Sequence, residues 1–365
     1  MLIDIIAGAR PNFMKIAPII EQIKNAQEEK RNINYRLVHT GQHYDKNMSD
    51  SFFEQLGIPM PDINLGAGGG TQAEQTASIM IGYEKLLMNE KSDLCLVVGD
   101  VTSTMACAIV AQKMHVNVAH VEAGIRSRDW TMPEEINRLV TDSITNYFFT
   151  TSEVANINLR NSGVSNDRIF FVGNAMIDTL LKQRPRFAKP IFWDELALVK
   201  GKYIVMTLHR PANVDDKEKL KTLLDEIISN SNGLPLIFPV HPRTARILET
   251  LKIVHQQLHV IEPLGYLEFN YLVENALAVI TDSGGITEET TVLGVPCMTL
   301  RDNTERPETV DVGTNELIGT NPNAIKPALE KLFAGEWKKG AIPELWDGNT
   351  AQRIVSILKE LKVAN

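Results

Sequence analysis

The stretch that most limits what this chain can fold into is ALAVITDSGGITEETTVLGVPCMTL, Ala276 to Leu300. Ala276 to Thr281 is a short apolar run that reads as a buried strand, and Ile286 to Leu293 repeats apolar residues at helical spacing until Gly294 stops it. A polar turn with two glycines joins them. Strand, turn and helix in this order bring the backbone N–H groups of Ser283, Gly284 and Gly285 to the positive end of the helix, where an anion such as a phosphate can approach closely. Glu288 and Glu289 follow in the first helical turn, where a carboxylate complements the dipole or accepts hydrogen bonds from a ribose diol. The same residues also read as an ordinary Asp/Ser cap with a helpful glutamate. The turn alone leaves both readings open.

The rhythm recurs along the chain. Leu2 to Ile6 is strand-like and runs into AGARPNFMKIAPII, with Ile16, Ile19, Ile20 and Ile23 at helical spacing. YRLVHTGQHYDKNMSDSFFEQLG gives a second unit, and the helix Gln72 to Met88 with the strand Leu94 to Val98 a third. Between those two, GAGGGT (Gly66 to Thr71) has the composition of a flexible lid. Tyr147 to Thr151 and Arg168 to Val172 close the first half as strands. Lys182 to Lys200, with Pro185 and Pro190, is the best candidate for a connection. The second half restarts with the strand Tyr203 to Thr207, the helix Asp216 to Ser229 and the strand Leu234 to Val240. NTAQRIVSILKELK closes the chain as an amphipathic helix. Strictly alternating strands and helices over 365 residues, more than one core usually holds, imply two doubly wound α/β domains rather than a barrel.

In such folds ligands bind at the carboxyl ends of the strands. Arg10 and Lys15 follow the first strand, so two cations suit a phosphate there, or else a solvated helix start. CLVVGD ends in Asp100, and VNVAHVEAG carries Glu122 just past its apolar part. These carboxylates occupy equivalent strand ends and have no routine capping job. Glu134 and Glu135 open the helix PEEINRLVTDSI behind Pro133, and at least one of them reads as a dipole complement. His209 and His241 each follow an apolar strand, where an imidazole can exchange a proton with a sugar carbon or a phosphate. Arg306, in RDNTERPETV, suits a two-pronged hold on pyrophosphate or a surface ion pair. No histidine pair has metal-ligand spacing and no aspartate cluster demands Mg²⁺, so no metal is expected. A net charge of −8 gives nucleic acid no electrostatic footprint. Cys95, Cys107 and Cys297, odd in number and in apolar settings, fit structural roles in a reducing cytoplasm. No apolar run reaches the roughly 18 residues a bilayer requires, and Met1 to Ala7 lacks a secretory pattern. The expectation is a soluble, unprocessed, cytoplasmic protein with no membrane partner.

The segments GARPNFMKIAPI, VVGDVTST, HVEAGIRS, MPEEINR, TLHRPANVD, FPVHP, TDSGGITEE and LRDNTERPE occur in one order from Ala7 to Glu308. In this the chain resembles the non-hydrolysing UDP-N-acetylglucosamine 2-epimerases. The resemblance implies two Rossmann-like domains in the GT-B arrangement with a cleft between them. An N-terminal domain would span residues 1–172, with a last helix at about 350–365 packing back on it. A UDP-binding domain would span 173–349. It implies a homodimer, no cofactor, and a role in cell-surface polysaccharide biosynthesis. It also implies a reaction in which a base removes the C2 proton while UDP leaves C1, and UDP returns as C2 is protonated from the opposite face. Carried over position by position, Asp100, Glu122 and Glu134 match the catalytic carboxylates, with Lys15 and His209 as further active-site residues. Arg10, Ser283, Gly284, Gly285, Glu289 and Arg306 match UDP contacts, His241 and Leu264 substrate-binding positions, and Phe269 a place near the uracil. Leu264 stands where glutamine is frequent, so its contact would come from backbone. Ala9 replaces a usual threonine, and Leu208 a glycine or alanine. Many bacterial members bind a second substrate molecule as activator through a glutamine pair and an arginine. Here Gln42 matches, but Asp45 stands at the second glutamine and GAGGGT holds no arginine. The alternatives are a hydrolysing 2-epimerase, a 2-epimerase of a diacetamido uronic acid nucleotide, a GT-B glycosyltransferase, and a binding protein for nucleotide sugars.

Overall fold

The computed structural model describes residues 1–41, 57–240, 242–251 and 253–361. The chain forms two compact units, Met1–Lys182 with Glu344–Asn365, and Gln183–Pro343. His241, Gln42, Asp45 and most of the second strand–helix unit expected from the sequence lie outside the described residues.

In the first unit the described strands are β1 (Leu2–Ala7), β2 (Asn34–His39), β3 (Ile63–Asn64), β4 (Leu94–Val98), β5 (Asn117–Val121), β6 (Tyr147–Thr150) and β7 (Ile169–Phe171). They form one parallel sheet in the order β3-β2-β1-β4-β5-β6-β7. The described helices between and after them are α1 (Arg10–Glu28), α2 (Gln72–Asn89), α3 (Thr102–Lys113), α4 (Pro133–Ile144), α5 (Glu153–Asn161) and α6 (Ala175–Gln183). Helical spacing explains α1 directly, since Ile16, Ile19, Ile20 and Ile23 are all buried on one stripe. The strands are mostly apolar, as a buried parallel sheet requires, and the buried charges on β1 and β2, Asp4 and Arg36, pair with each other at 2.7 Å. Strand order reverses between β1 and β4. The loops after these two strands therefore diverge and leave a crevice at the carboxyl edge, the usual ligand position of an open α/β sheet.

The expected lid is partly pinned. Ala67 is buried and donates its N–H to the Thr40 carbonyl at 2.8 Å, while Thr71 and Glu74 form a capping box that starts α2.

The second unit opens with α7 (Phe192–Glu195), inside the segment read as a connection. That segment is packed rather than loose. Trp193 meets Tyr203 and Tyr271 edge-on, with ring centroids 5.4 and 5.3 Å away. The strands are β8 (Ile204–Thr207), β9 (Leu236–Pro239), β10 (Leu258–Ile261), β11 (Ala278–Thr281), β12 (Cys297–Thr299) and β13 (Asn315–Leu317). The sheet is parallel in the order β10-β9-β8-β11-β12-β13. The helices are α8 (Pro211–Val214), α9 (Lys217–Asn230), α10 (Pro242–Leu251), α11 (Tyr266–Asn275), α12 (Gly284–Leu293), α13 (Pro307–Asp311) and α14 (Ile325–Phe333). Alternation along β8 sends Ile204 and Met206 into one core, and Tyr203 and Val205 into the core on the other face. Here the order reverses between β8 and β11.

The chain's last described helix, α15 (Thr350–Glu360), belongs to the first unit. Asp178 on α6 accepts from the N–H groups of Thr350 and Ala351 at 3.1 and 2.7 Å, and the buried indole of Trp346 donates to the Thr151 carbonyl at 3.0 Å. No helix among the described residues is long and apolar enough to cross a membrane.

Candidate active site

The first unit gathers its candidates where β1 and β4 part. Asn12 ties the two strand ends together. Its Oδ1 accepts from the N–H groups of Gly8 and Ala9 at 3.2 and 3.1 Å, and its Nδ2 donates to the Val98 carbonyl at 3.0 Å. Three residues on, Lys15 shares that face of α1, and its buried ammonium lies 2.7 Å from Glu122 Oε2. Glu122 itself sits just past β5 in the left-handed region, at φ 70°, a conformation costly for any residue with a Cβ. Its backbone N–H donates to the Phe149 carbonyl at 3.0 Å, which holds that conformation. Gly99, just past β4, donates its N–H to the Val121 carbonyl at the end of β5 at 3.0 Å. It has φ 69°, and a Cβ there would stand 3.4 Å from Lys15 Nζ and 3.7 Å from Glu122 Oε2. Asp100 follows it, part-exposed, with Oδ2 paired to Arg138.

The acidic pair that opens α4 divides its labour. Glu135 is buried, accepting from Ser127 N at 2.9 Å, Arg128 N at 2.9 Å and Arg138 Nη1 at 2.8 Å. Burial pushes its carboxyl up, yet these hydrogen bonds and the Arg138 charge outweigh it and hold the group below the usual range. Arg138 thereby bridges Glu135 and Asp100, and Asn137 Nδ2 donates to the Asp100 carbonyl at 2.8 Å. Glu134 is left half-buried in the first turn. The buried His120 ring supports the same corner, with Nε2 2.8 Å from the Gly99 carbonyl and Nδ1 2.7 Å from Asp142 Oδ1.

In the second unit Thr207 and Thr281 are register partners, with hydroxyls 2.6 Å apart. The residues just beyond them therefore meet. Asp282 is fully buried and accepts backbone N–H groups from His209 (3.1 Å) and Arg210 (2.9 Å) and the Asn213 amide at 3.1 Å. His209 Nδ1 lies 2.8 Å from Asp282 Oδ1. Burial raises the Asp282 carboxyl, but His209 and the other donors more than reverse this, so it stays ionised. An ionised carboxylate can only accept. Nδ1 of His209 must then carry the hydrogen, and the side chain as a whole is more than half exposed. Asp282 was missed as an orienting residue because in sequence it reads as a cap.

Beyond β11, α12 begins at Gly284, two residues earlier than its apolar pattern suggests. Glu288 and Glu289 consequently fall in its second turn, out of the dipole's reach, and both are buried. Ser283 occupies the N-cap position but its side chain makes no capping hydrogen bond. The positive end of this helix is thus not closed by its own cap residue. Glu288 Oε1 takes Arg306 Nε at 2.7 Å, so Arg306 is buried and ion-paired beside α12. Burial raises the Glu289 carboxyl to about 7, with Tyr266 and Asn270 alongside pulling partly back. Leu264 and Phe269, before and on α11, pack half-buried against the core face that holds Tyr203 and Val205. Leu208 is buried in the opposite core, which accommodates its departure from the smaller residue. Arg10 is the first residue of α1, and its side chain lies outside the described residues.

A family model described as UDP-N-acetylglucosamine 2-epimerase matches residues 25–359. The UDP-N-acetylglucosamine 2-epimerase of Methanocaldococcus jannaschii is 42% identical over 371 residues, covering 98% of this chain and 99% of the relative. The UDP-2,3-diacetamido-2,3-dideoxy-D-glucuronate 2-epimerase of Pseudomonas aeruginosa is 41% identical over 328 residues, covering 89% and 90%. A crystal structure of the M. jannaschii enzyme in complex with UDP-GlcNAc and UDP superposes with a TM-score of 0.88, covering 99% of this chain and 100% of that one.

Proposed function

The chain belongs to the UDP-N-acetylglucosamine 2-epimerase family, and from that premise we propose that it interconverts UDP-N-acetylglucosamine and UDP-N-acetylmannosamine by eliminating and re-adding UDP. The observation that carries this reading is the Lys15–Glu122 pair beside Asp100 at the strand ends of the first unit. Inverting C2 requires a proton to leave one face and another to arrive on the other, so more than one proton-transfer group is needed. Asp100, Glu122 and Glu134 supply carboxylates, and Lys15 and Arg138 pair with two of them.

In the proposed sequence a carboxylate takes the C2 proton. The C–H electron pair becomes the C1=C2 bond as the C1–O bond breaks, and its electrons leave with UDP. The intermediate is 2-acetamidoglucal. Return of the UDP oxygen to C1 draws the double-bond pair to C2, which accepts a proton on the opposite face. The electrons stay within substrate, so no redox partner is consumed. In the second unit, the backbone at Ser283, Gly284 and Gly285 would hold the diphosphate, Glu289 the ribose diol, and Phe269 with the Leu264 backbone the uracil. His209, oriented by Asp282, would act at the departing phosphate. Arg306 and, by likeness of sequence, Arg10 and His241 complete the binding set. By likeness of sequence the enzyme would be a cytoplasmic homodimer.

A second reading, a 2-epimerase of a diacetamido uronic acid nucleotide, is favoured by the similarity to the P. aeruginosa enzyme. Proton NMR of the purified protein with UDP-N-acetylglucosamine in D₂O separates the readings. Deuterium entering C2 with a UDP-N-acetylmannosamine signal is the expected result. Free N-acetylmannosamine plus UDP would move the chain to hydrolysing epimerases. An unchanged spectrum, with exchange on the diacetamido uronate nucleotide instead, would establish the second reading.

A further inference from the structure

We infer that Glu305 is a built-in occupant of the diphosphate site, a carboxylate that holds Arg301 over the start of α12 until the phosphates displace it. The inference rests on reading the second unit as the UDP-binding one, and it adds Arg301 and Glu305 to that site. Arg301 follows β12 and is buried. Its Nη2 donates to Glu305 Oε2 at 2.6 Å and to Asn303 Oδ1 at 3.2 Å. Its Nη1 is buried without a hydrogen-bond partner, a costly state for a guanidinium N–H. That same nitrogen lies 3.8 Å from where a Cβ on Gly284 would stand, so it is aimed at the first turn of α12.

Glu305 Oε1 lies even closer, 2.6 Å from that Cβ position, and 4.0 Å from Arg210 Nη2. Only glycine at position 284 lets the carboxylate come this near. The Glu305 side chain is 11% exposed, so it is drawn in among two arginines and a helix amino end rather than left in water. This is the environment an anionic phosphate seeks. A carboxylate satisfies it incompletely, since Arg301 Nη1 stays unmet. A diphosphate carries more oxygens than a carboxylate, and it can accept from both Arg301 nitrogens at once. In the ligand-free protein Glu305 lowers the cost of keeping Arg301 buried and charged. When UDP arrives, the two anions cannot share the helix end, and Glu305 yields it.

The sign of one substitution decides between this and a permanent supporting role for Glu305. Calorimetric titration of the full chain with inorganic pyrophosphate, UDP and uridine compares the parent with E305Q and R301Q, each checked for folding by thermal unfolding. As occupant, Glu305 competes with the ligand. E305Q then tightens pyrophosphate and UDP by about tenfold and leaves uridine unchanged, whereas R301Q weakens both phosphates by about tenfold or more. E305D, shortened away from Gly284 while keeping its charge for Arg301, shifts pyrophosphate the same way by a smaller factor and serves where E305Q does not fold. Weaker or unaltered pyrophosphate binding in the Glu305 variants overturns the inference. Pyrophosphate responding as expected while uridine and UDP show no nucleoside-dependent gain would sink the UDP reading and leave the occupant in place.

Discussion

A carboxyl group offers both oxygens as acceptors only when ionised, and burial raises Glu289 to about 7. The native state keeps the proton that an unfolded glutamate would lose near its ordinary value of 4.5. Its contribution to stability is therefore greatest below about 4.5 and is lost as pH rises toward about 7. A ribose diol donating to the ionised form pulls the other way. UDP affinity should accordingly rise with pH up to about 7 and level off above it, while E289Q should bind more weakly with little pH dependence. Calorimetric titration of UDP from pH 5.5 to 8.5 on both proteins measures this, and a flat parent profile would remove Glu289 from the ribose. Asp282 makes a separate prediction. With asparagine there, His209 loses its fixed Nδ1–H donor geometry, and kcat should fall by about 10²- to 10⁴-fold while UDP affinity changes little. Equal losses in kcat and UDP binding in D282N would instead mark Asp282 as a prop of the loop. The positions of Asp100, Glu122 and His209 just past strands were readable from the sequence because each follows an apolar run, and that of Lys15 because α1 keeps helical spacing. The Asp282–His209 contact was not, because it exists only through pairing of β8 with β11, whose residues lie more than seventy positions apart in the chain.

At the scale of elements, Asp178 shows how a distant helix is fixed. The first N–H groups of α15 have no partner within the helix, and the Asp178 carboxylate takes two of them from α6. Burial nonetheless raises its carboxyl above the ordinary value, which means ionisation costs something in the fold and stability declines as pH climbs through that raised value. D178A should lower stability by about 1–2 kcal/mol in denaturant unfolding, and D178N by less, since a neutral amide carries no burial penalty for charge. A variant as stable as the parent would show that Trp346, Ile354, Val355 and Leu358, all buried, hold α15 without the cap. Long amphipathic elements such as α1 and α15 were legible because periodicity is a local property of sequence. The three-residue strand β13 was not distinguished, since so short a run carries no period and takes its identity from a neighbour. The acid pair on α4 shows the same limit. Sequence put Glu134 and Glu135 side by side, and only packing shows that Glu135 folds inward to hold Arg138 against Asp100.

For the whole molecule, sequence rhythm revealed two doubly wound α/β units, but not the strand orders that put a switch point at β1/β4 and another at β8/β11. Sheet order is decided by non-local pairing, and it is this order that turns scattered strand-end residues into sites. Kinetic behaviour is a property of the molecule as a whole, and here the residues argue for a simple one. Regulation by a second substrate molecule needs an additional set of binding groups, and in the resembling bacterial enzymes that set includes two glutamines and an arginine. This chain offers Gln42, has Asp45 in the second place, and carries Gly66 to Thr71 without a cation. An aspartate at the second glutamine's place would repel an effector's phosphates, and Gly66 to Thr71 brings no arginine to offset it, so the differential affinity that activation requires is expected to be missing. We therefore expect hyperbolic rates in both directions, with UDP-N-acetylmannosamine turned over without lag when no UDP-N-acetylglucosamine has been added. Initial rates in the reverse direction, with and without a trace of UDP-N-acetylglucosamine, test it. Sigmoidal dependence relieved by that trace would mean that other side chains have taken over the effector's phosphates.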